Sequence, residues 1–342
     1  VKAKGKATRF EYSPEMSDSQ RDEVDLMNAN LEHSLRARQA KVIVANMQRD
    51  SATDDNRRGN IGGAGNGDPD DKSKRVLFIS QEIHPYLPEN TISSTTLALA
   101  KKTNDSGHQV RVFMPRFGVI NERRHQLHEV IRLSGMNVVI NDMDLPLIIK
   151  VASVPGARMQ VYFIDNEEFF KRKFTYTDAD GAQFEDNDER TLFFSKGAID
   201  TVEKLGWKPD IIHVHGWMSS LVPMYLKLFQ ADNPIFKDAK IVFSAYDNGF
   251  EGGLGPNLKA GMEFDEIDPS LTEGLEAPTC EDLQMLAAKY SDVVILGEEN
   301  TDAVAKYCEE NGITLIDGKG FATQPEDAIK IYESLLVESD VE

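Results

Sequence analysis

The chain reads as an α/β protein: a Rossmann-like doubly wound parallel sheet with a hairpin insertion, preceded by a helical arm and a linker. Three observations predict this. First, from Arg75 onward short apolar runs (RVLFIS, HQVRVFMP, DIIHVH, KIVFSAY, DVVILG and ITLID) alternate with segments of helix length. Second, those runs are apolar at consecutive positions, which suits strands covered by helices on both faces. Third, residues 51–74, SATDDNRRGNIGGAGNGDPDDKSK, hold almost no apolar side chain, so burial cannot offset their ordering entropy. That linker separates residues 1–50 from a domain over 75–342.

Within the first segment, residues 17 to about 49 have the period of one amphipathic helix. Ser17 and Gln20 form a capping box, and Val24, Met27, Leu31 and Leu35 recur at helical spacing. A lone helix buries its apolar face only by docking, either on its own domain or on a protein partner, and both readings stand. After the linker, RVLFIS is the first strand. A helix near Ser93 to Asn104, a turn at Gly107 and the strand HQVRVFMP follow. HEVIRLSG, NVVIND, LIIKVAS and MQVYFID read as paired strands of the hairpin-rich insertion. Helices over Glu189 to Leu205, through LVPMYLKLF, and over Glu281 to Tyr290, Ala303 to Glu310 and Pro325 to Leu336 separate the remaining strands.

The net charge of -19 lies in the domain, not in the arm. Residues 1–74 carry 13 basic and 13 acidic groups, the remainder 25 and 44. Such a field repels phosphate backbones and anionic lipid, so neither nucleic acid nor a membrane surface is an expected partner. Cys280 and Cys308 have no zinc-type spacing and are expected to be reduced thiols. No apolar run approaches the ~20 residues that span a bilayer, and VKAKGKATRFEY is no signal peptide, so the expected location is cytoplasmic. GGAGNG in the linker neither leaves a strand nor opens a helix, which removes it as a dinucleotide loop, and no cofactor is expected.

Ligands of open α/β sheets bind beyond the carboxyl ends of the strands. That rule selects Ser80-Gln81-Glu82, His213 to Trp217, Ser244 to Asn248, and Gly297-Glu298-Glu299. His213 and His215 share one strand face. They read as part of a metal site, as the lining of a sugar or phosphate pocket, or as hydrogen-bonded structural histidines; no third ligand is nominated, and no metal is assigned. In FEDNDERTLFF, Asp186 or Asn187 is placed to cap a helix, and Arg190, one turn in, to reach a ligand or pair with Asp186. The run Met262 to Leu283 holds eight carboxylates and no basic residue, and it reads as a solvated loop. The basic cluster Arg123, Arg124, His125 and His128 reads as surface.

Taken jointly, VLFISQEIHPYL, GHQVRVFMPRFG, VYFIDNEEFF, DNDERTLFF, PDIIHVHGW and LAAKYSDVVILGEENTDAV resemble, in order, the N-terminal domain of glycogen and starch synthases. These are retaining glycosyltransferases of the GT-B fold, and the resemblance covers about residues 75 to 306. It implies a nucleotide sugar, ADP-glucose or UDP-glucose, held between this domain and a second Rossmann domain, with an α-glucan acceptor and no metal. Roughly 35 residues follow the resemblance, too few for that second domain, so one half alone is expected. Where the family has K-T-G-G-L-A-D to receive the donor phosphates, this chain has Pro88-Glu89-Asn90-Thr91-Ile92-Ser93-Ser94. Family H-x-H-D-W-H becomes His213-Val214-His215-Gly216-Trp217-Met218, and T-x-H-N becomes Ser244-Ala245-Tyr246-Asp247. Glu82 and His215, which the resemblance carries over, and Tyr246, which stands where the family has a histidine, are candidate catalytic residues. Ser80, Asn187, Arg190, His213, Trp217 and Asp247 are candidate substrate contacts. The altered motifs lead to an expectation of a synthase-like protein that is inert alone and acts as a binding or assembly subunit. Two alternatives stay open: an active glucosyltransferase completed by another chain, and a carbohydrate-binding module.

Overall fold

A computed structural model of the protein describes residues 73–338, apart from 158 and 248. The helical arm and all but the end of the linker lie outside the described residues. The strands are β1 (Arg75–Ser80), β2 (Gln109–Pro115), β3 (His128–Glu129), β4 (Met136–Ile140), β5 (Met143–Ser153), β6 (Gln160–Asp165), β7 (Ile211–His215), β8 (Lys240–Ala245), β9 (Val293–Leu296) and β10 (Leu315–Asp317). Their spatial order is β10-β9-β8-β7-β1-β2-β6-β5-β3, with β4 paired to β5. From β10 through β6 every neighbouring pair is parallel. Val76 to Ile79, Ile211 to Val214 and Ile241 to Ala245 are buried on both sheet faces, which is why these runs lack polar alternation.

Two groups of helices cover the sheet. One pairs α1 (Thr91–Asp105) with the last described helix, Glu326–Glu338. In the other, the helix Asn187–Leu205 packs on Val222–Phe229 and Asn257–Phe264, and Val222–Phe229 packs on Cys280–Lys289. At the start of α1, Asn90 Oδ1 accepts from Ser93 N–H at 2.8 Å while the Ser93 hydroxyl accepts from Asn90 N–H at 2.9 Å. This capping box satisfies donors that the helix cannot pair itself.

The expected hairpin-rich insertion is present as antiparallel pairs along β5, and the topology adds that its last strand is shared with the main sheet. MQVYFID is a strand of the main sheet, parallel to β2 and antiparallel to β5, so the sheet is mixed at this edge. Its five consecutive buried positions are those of an interior strand. β4 and β5 form one hairpin, turning at Asn141 with φ 53°, β5 and β6 form a second with Ser153 opposite Gln160, and HEVIRLSG contributes the two-residue β3, antiparallel to β5. A helix not foreseen in the sequence, Asn257–Phe264, runs into the acidic run. Gly261 lets it approach Asn187–Leu205, since a Cβ there would meet Leu192 Cδ1 at 2.5 Å. Beyond it Glu266, Asp268, Glu273 and Glu276 are exposed, as expected of a solvated loop. Arg123 and Arg124 are exposed too, and both cysteines are free and buried.

Candidate functional site

The strand order reverses between β1 and β7, because β2 and β6 lie on one side of β1 while β7, β8, β9 and β10 lie on the other. The crevice beyond these two strands is where the fold presents a ligand site. It brings Ser80-Gln81-Glu82 against His215-Gly216-Trp217-Met218.

On the β1 side, the Ser80 hydroxyl donates to Glu82 O at 2.7 Å and lies 3.0 Å from Thr96 Oγ1. One Glu82 carboxylate oxygen accepts from Asn90 Nδ2 and the other from the Tyr176 hydroxyl at 2.9 Å. Tyr176 is itself fastened by the helix that begins at Asn187. Asn187 Nδ2 donates to Tyr176 O at 2.9 Å, and Arg190 donates to Thr175 O at 2.8 Å and to Asn187 Oδ1 at 2.6 Å. The expected Arg190–Asp186 pair does not form, because Asp186 pairs with Arg172. Arg190 lies fully buried with its guanidinium 5.2 Å from the Phe170 ring centre and 5.4 Å from that of Phe184. Burial brings its pKa down to about 10, which leaves it cationic at neutral pH.

On the β7 side, the His213 and His215 rings sit 3.9 Å apart, centre to centre. His213 Nδ1 lies 2.6 Å from the Tyr332 hydroxyl and Nε2 lies 2.7 Å from Ser244 Oγ, so hydroxyls meet both nitrogens. His215 Nδ1 lies 2.8 Å from the Tyr246 hydroxyl. Burial pushes the His215 pKa down to about 3 and holds His213 well below its ordinary value, assisted there by the neighbouring His215. Both rings are neutral at pH 7. Among the described residues no group of three His, Cys, Asp or Glu side chains is placed to hold a metal ion. Trp217 is buried, edge-on to Phe250 at 4.8 Å and tilted against Tyr176 at 5.3 Å.

Beyond β8 the site opens. A pocket of about 480 Å³ is lined by Tyr246, Asp247, Phe250, Glu251, Glu281 and Gln284, among others. Tyr246 forms its floor: Gln284 holds the Tyr246 backbone from both sides, accepting from N–H at 2.8 Å and donating to O at 3.0 Å. Asp247 is exposed, with its N–H on Glu298 at 2.9 Å and its carboxylate accepting from Asn300 at 2.9 Å. At the rim of the crevice Pro88 and Glu89 are exposed. Cys280, also in the pocket wall, has its thiol pKa pushed up to about 11 by burial and is no nucleophile at neutral pH.

The structure therefore gathers Glu82, Asn187, Arg190 and Trp217 around Tyr176, with Ser80 held to the Glu82 backbone, and His213, His215 and Tyr246 in a second buried chain. Asp247 stands apart on the open pocket. Sequence reasoning missed Tyr176, Tyr332, Gln284 and the role of Gln81. All but Gln81 lie in loops or helices remote from the strand ends, where no spacing announces them.

A family profile described as the starch synthase catalytic domain matches residues 75–302. The glycogen synthase of Chlorobium limicola is 36% identical over 183 residues, which is 53% of this chain and 37% of that protein. That of Chlorobium phaeobacteroides is 32% identical over 249 residues, 69% of this chain and 50% of that protein. The catalytic domain of starch synthase IV from Arabidopsis thaliana, bound to ADP and acarbose, shares the fold with a TM-score of 0.58 at 18% identity, over 72% of this chain and 51% of that one. This chain thus spans half or less of the length of these curated relatives.

Proposed function

As the chain belongs to the starch synthase catalytic domain family, we propose that its described domain is a glucan-facing half that does not hold a nucleotide sugar by itself. The observation that carries this is the turn before α1. Asn90 spends its side chain on the cap of α1 and on Glu82, and the exposed Glu89 puts a negative charge beside it. A diphosphate arriving there meets repulsion and occupied donors. The open pocket points the same way. Asp247, Glu251 and Glu281 accept hydrogen bonds from sugar hydroxyls and repel phosphate, while Phe250 offers an apolar face. On this reading Glu82, Asn187 and Arg190 shape the cleft, Tyr246 and Asp247 meet the sugar, and transfer needs a donor-binding partner domain. The arm over residues 1–50 is proposed to dock a protein partner.

Titration calorimetry on the full chain tests this. Maltoheptaose is expected to bind, and neither ADP-glucose nor UDP-glucose at millimolar concentration. Donor binding by this chain alone would overturn the reading and favour an active retaining glucosyltransferase. Parallel size-exclusion runs with residues 1–72 deleted test the arm; an unchanged assembly state and unchanged partners would remove it.

A further inference from the structure

One side chain closes the junction at which the strand order reverses. Gln81 is completely buried, and its amide lies across the β1–β7 crevice. Its side-chain Oε1 accepts from Met218 N–H at 3.1 Å, and its backbone N–H donates to His215 O at 3.4 Å. Both flanks of Gly216 are thereby held from β1. Gly216 adopts φ +82°, and a Cβ there would lie 2.6 Å from Gln81 Cδ and 2.9 Å from Cγ. The amide therefore occupies the space in which a side chain of residue 216 would begin. Only glycine meets both demands, a left-handed backbone and an absent Cβ.

We infer that the switch-point crevice is a ligand crevice filled from within: Gln81 is its specificity-determining residue, an attached amide that keeps external ligands out of the β1–β7 junction. Ligands are confined to the open pocket over Tyr246 and Phe250. The second half of this statement rests on the glucan reading proposed above; the first half does not.

The test separates the two. Gln81→Ala removes the CH2–CONH2 group, which acetamide replaces in size and hydrogen bonding. Gln81→Met fills the space without an acceptor. Thermal unfolding of the full chain is followed with and without ~0.5 M acetamide, and acetamide is expected to raise the Tm of Gln81→Ala by about 2–4 °C relative to wild type and to Gln81→Met. Should Gln81→Ala lose cooperative unfolding, its return on adding acetamide is the same positive result. Equal responses of the three proteins, or no return, overturn the internal-occupant assignment. Maltoheptaose affinity is measured on the same variants. It is expected to stay within twofold of wild type, and a tenfold change in folded Gln81→Ala would place the sugar in the crevice and overturn the exclusion. Absence of maltoheptaose binding in wild type sinks the glucan reading alone and leaves the acetamide result standing.

Discussion

Tyr246 shows how a single residue sets the depth of the site. Its ring lies where a side chain on Gly297 would begin, with Cδ1 2.8 Å from that Cβ, so the ring sinks into the floor and sends its hydroxyl inward to His215. Gly297 is thus paired with Tyr246 as Gly216 is with Gln81. Gly297→Ala is expected to cost about 1–3 kcal/mol of stability by overpacking. In a Tyr246→Ala background the same change should cost at least ~1 kcal/mol less, because the clashing ring is gone. Urea unfolding of the four proteins measures this coupling, and strictly additive effects would show that Gly297 makes room for something else. The sequence placed Tyr246 beyond a strand end. Which way the ring turns depends on a glycine 51 positions later, which no local pattern connects to it.

At the scale of elements, the wall of the crevice is a joint between α1, the loop carrying Tyr176 and the start of the helix Asn187–Leu205. Asn90 ties α1 to the loop after β1, capping α1 through Oδ1 and holding Glu82, the partner of Tyr176, through Nδ2. Asn90→Ala is expected to destabilise by about 1–2 kcal/mol, since it removes the cap and leaves the Glu82 carboxylate short of a donor. Asn90→Ser keeps a capping hydroxyl but not the reach to Glu82, and should fall between the two. Denaturant midpoints order the three, and equal stability of Ala and wild type would remove Asn90 from the joint. The central strands were legible because burial on both faces writes a continuous apolar run. The junction at β6 was not: its antiparallel pairing with β5 was expected, but that its other edge pairs parallel to β2 inside the main sheet is decided only by the tertiary structure.

Over the whole molecule, the buried titratable groups make stability depend on pH. His213 and His215 have folded pKa values below the ordinary 6.5, so their contribution is present above about pH 6.5 and is lost as the pH falls toward the folded values, about 3 for His215. Each contributes a slope of up to about 1.4 kcal/mol per pH unit in that window. Asp200 runs the other way. Burial raises its carboxyl to about 7, so the folded state holds that proton more tightly and gains as the pH falls. Two histidines against one carboxyl predict a net loss of stability from pH 7.5 to 5.5, and Asp200→Asn should steepen it. Urea unfolding across that range checks both statements; a flat or rising profile would show that the histidines are hydrated or charged in the folded protein.

Alternation of apolar runs with helix-length segments by itself determined the parallel core and the position of the strand ends, because those features depend on periods of a few residues, while particular motifs such as PDIIHVHGW carried the family resemblance. Charge counts also determined that the acidic excess lies in the domain. Only the tertiary structure decided what the strand ends hold. Residues 81 and 216, 246 and 297, 213 and 332, and 82 and 176 meet across long loops, and each contact is a matter of occupied volume and hydrogen-bond reach. The two histidines of DIIHVH were visible from the start. That their Nδ1 atoms meet tyrosine hydroxyls, and that the crevice beside them is filled by an amide, follows from packing in three dimensions and from no spacing along the chain.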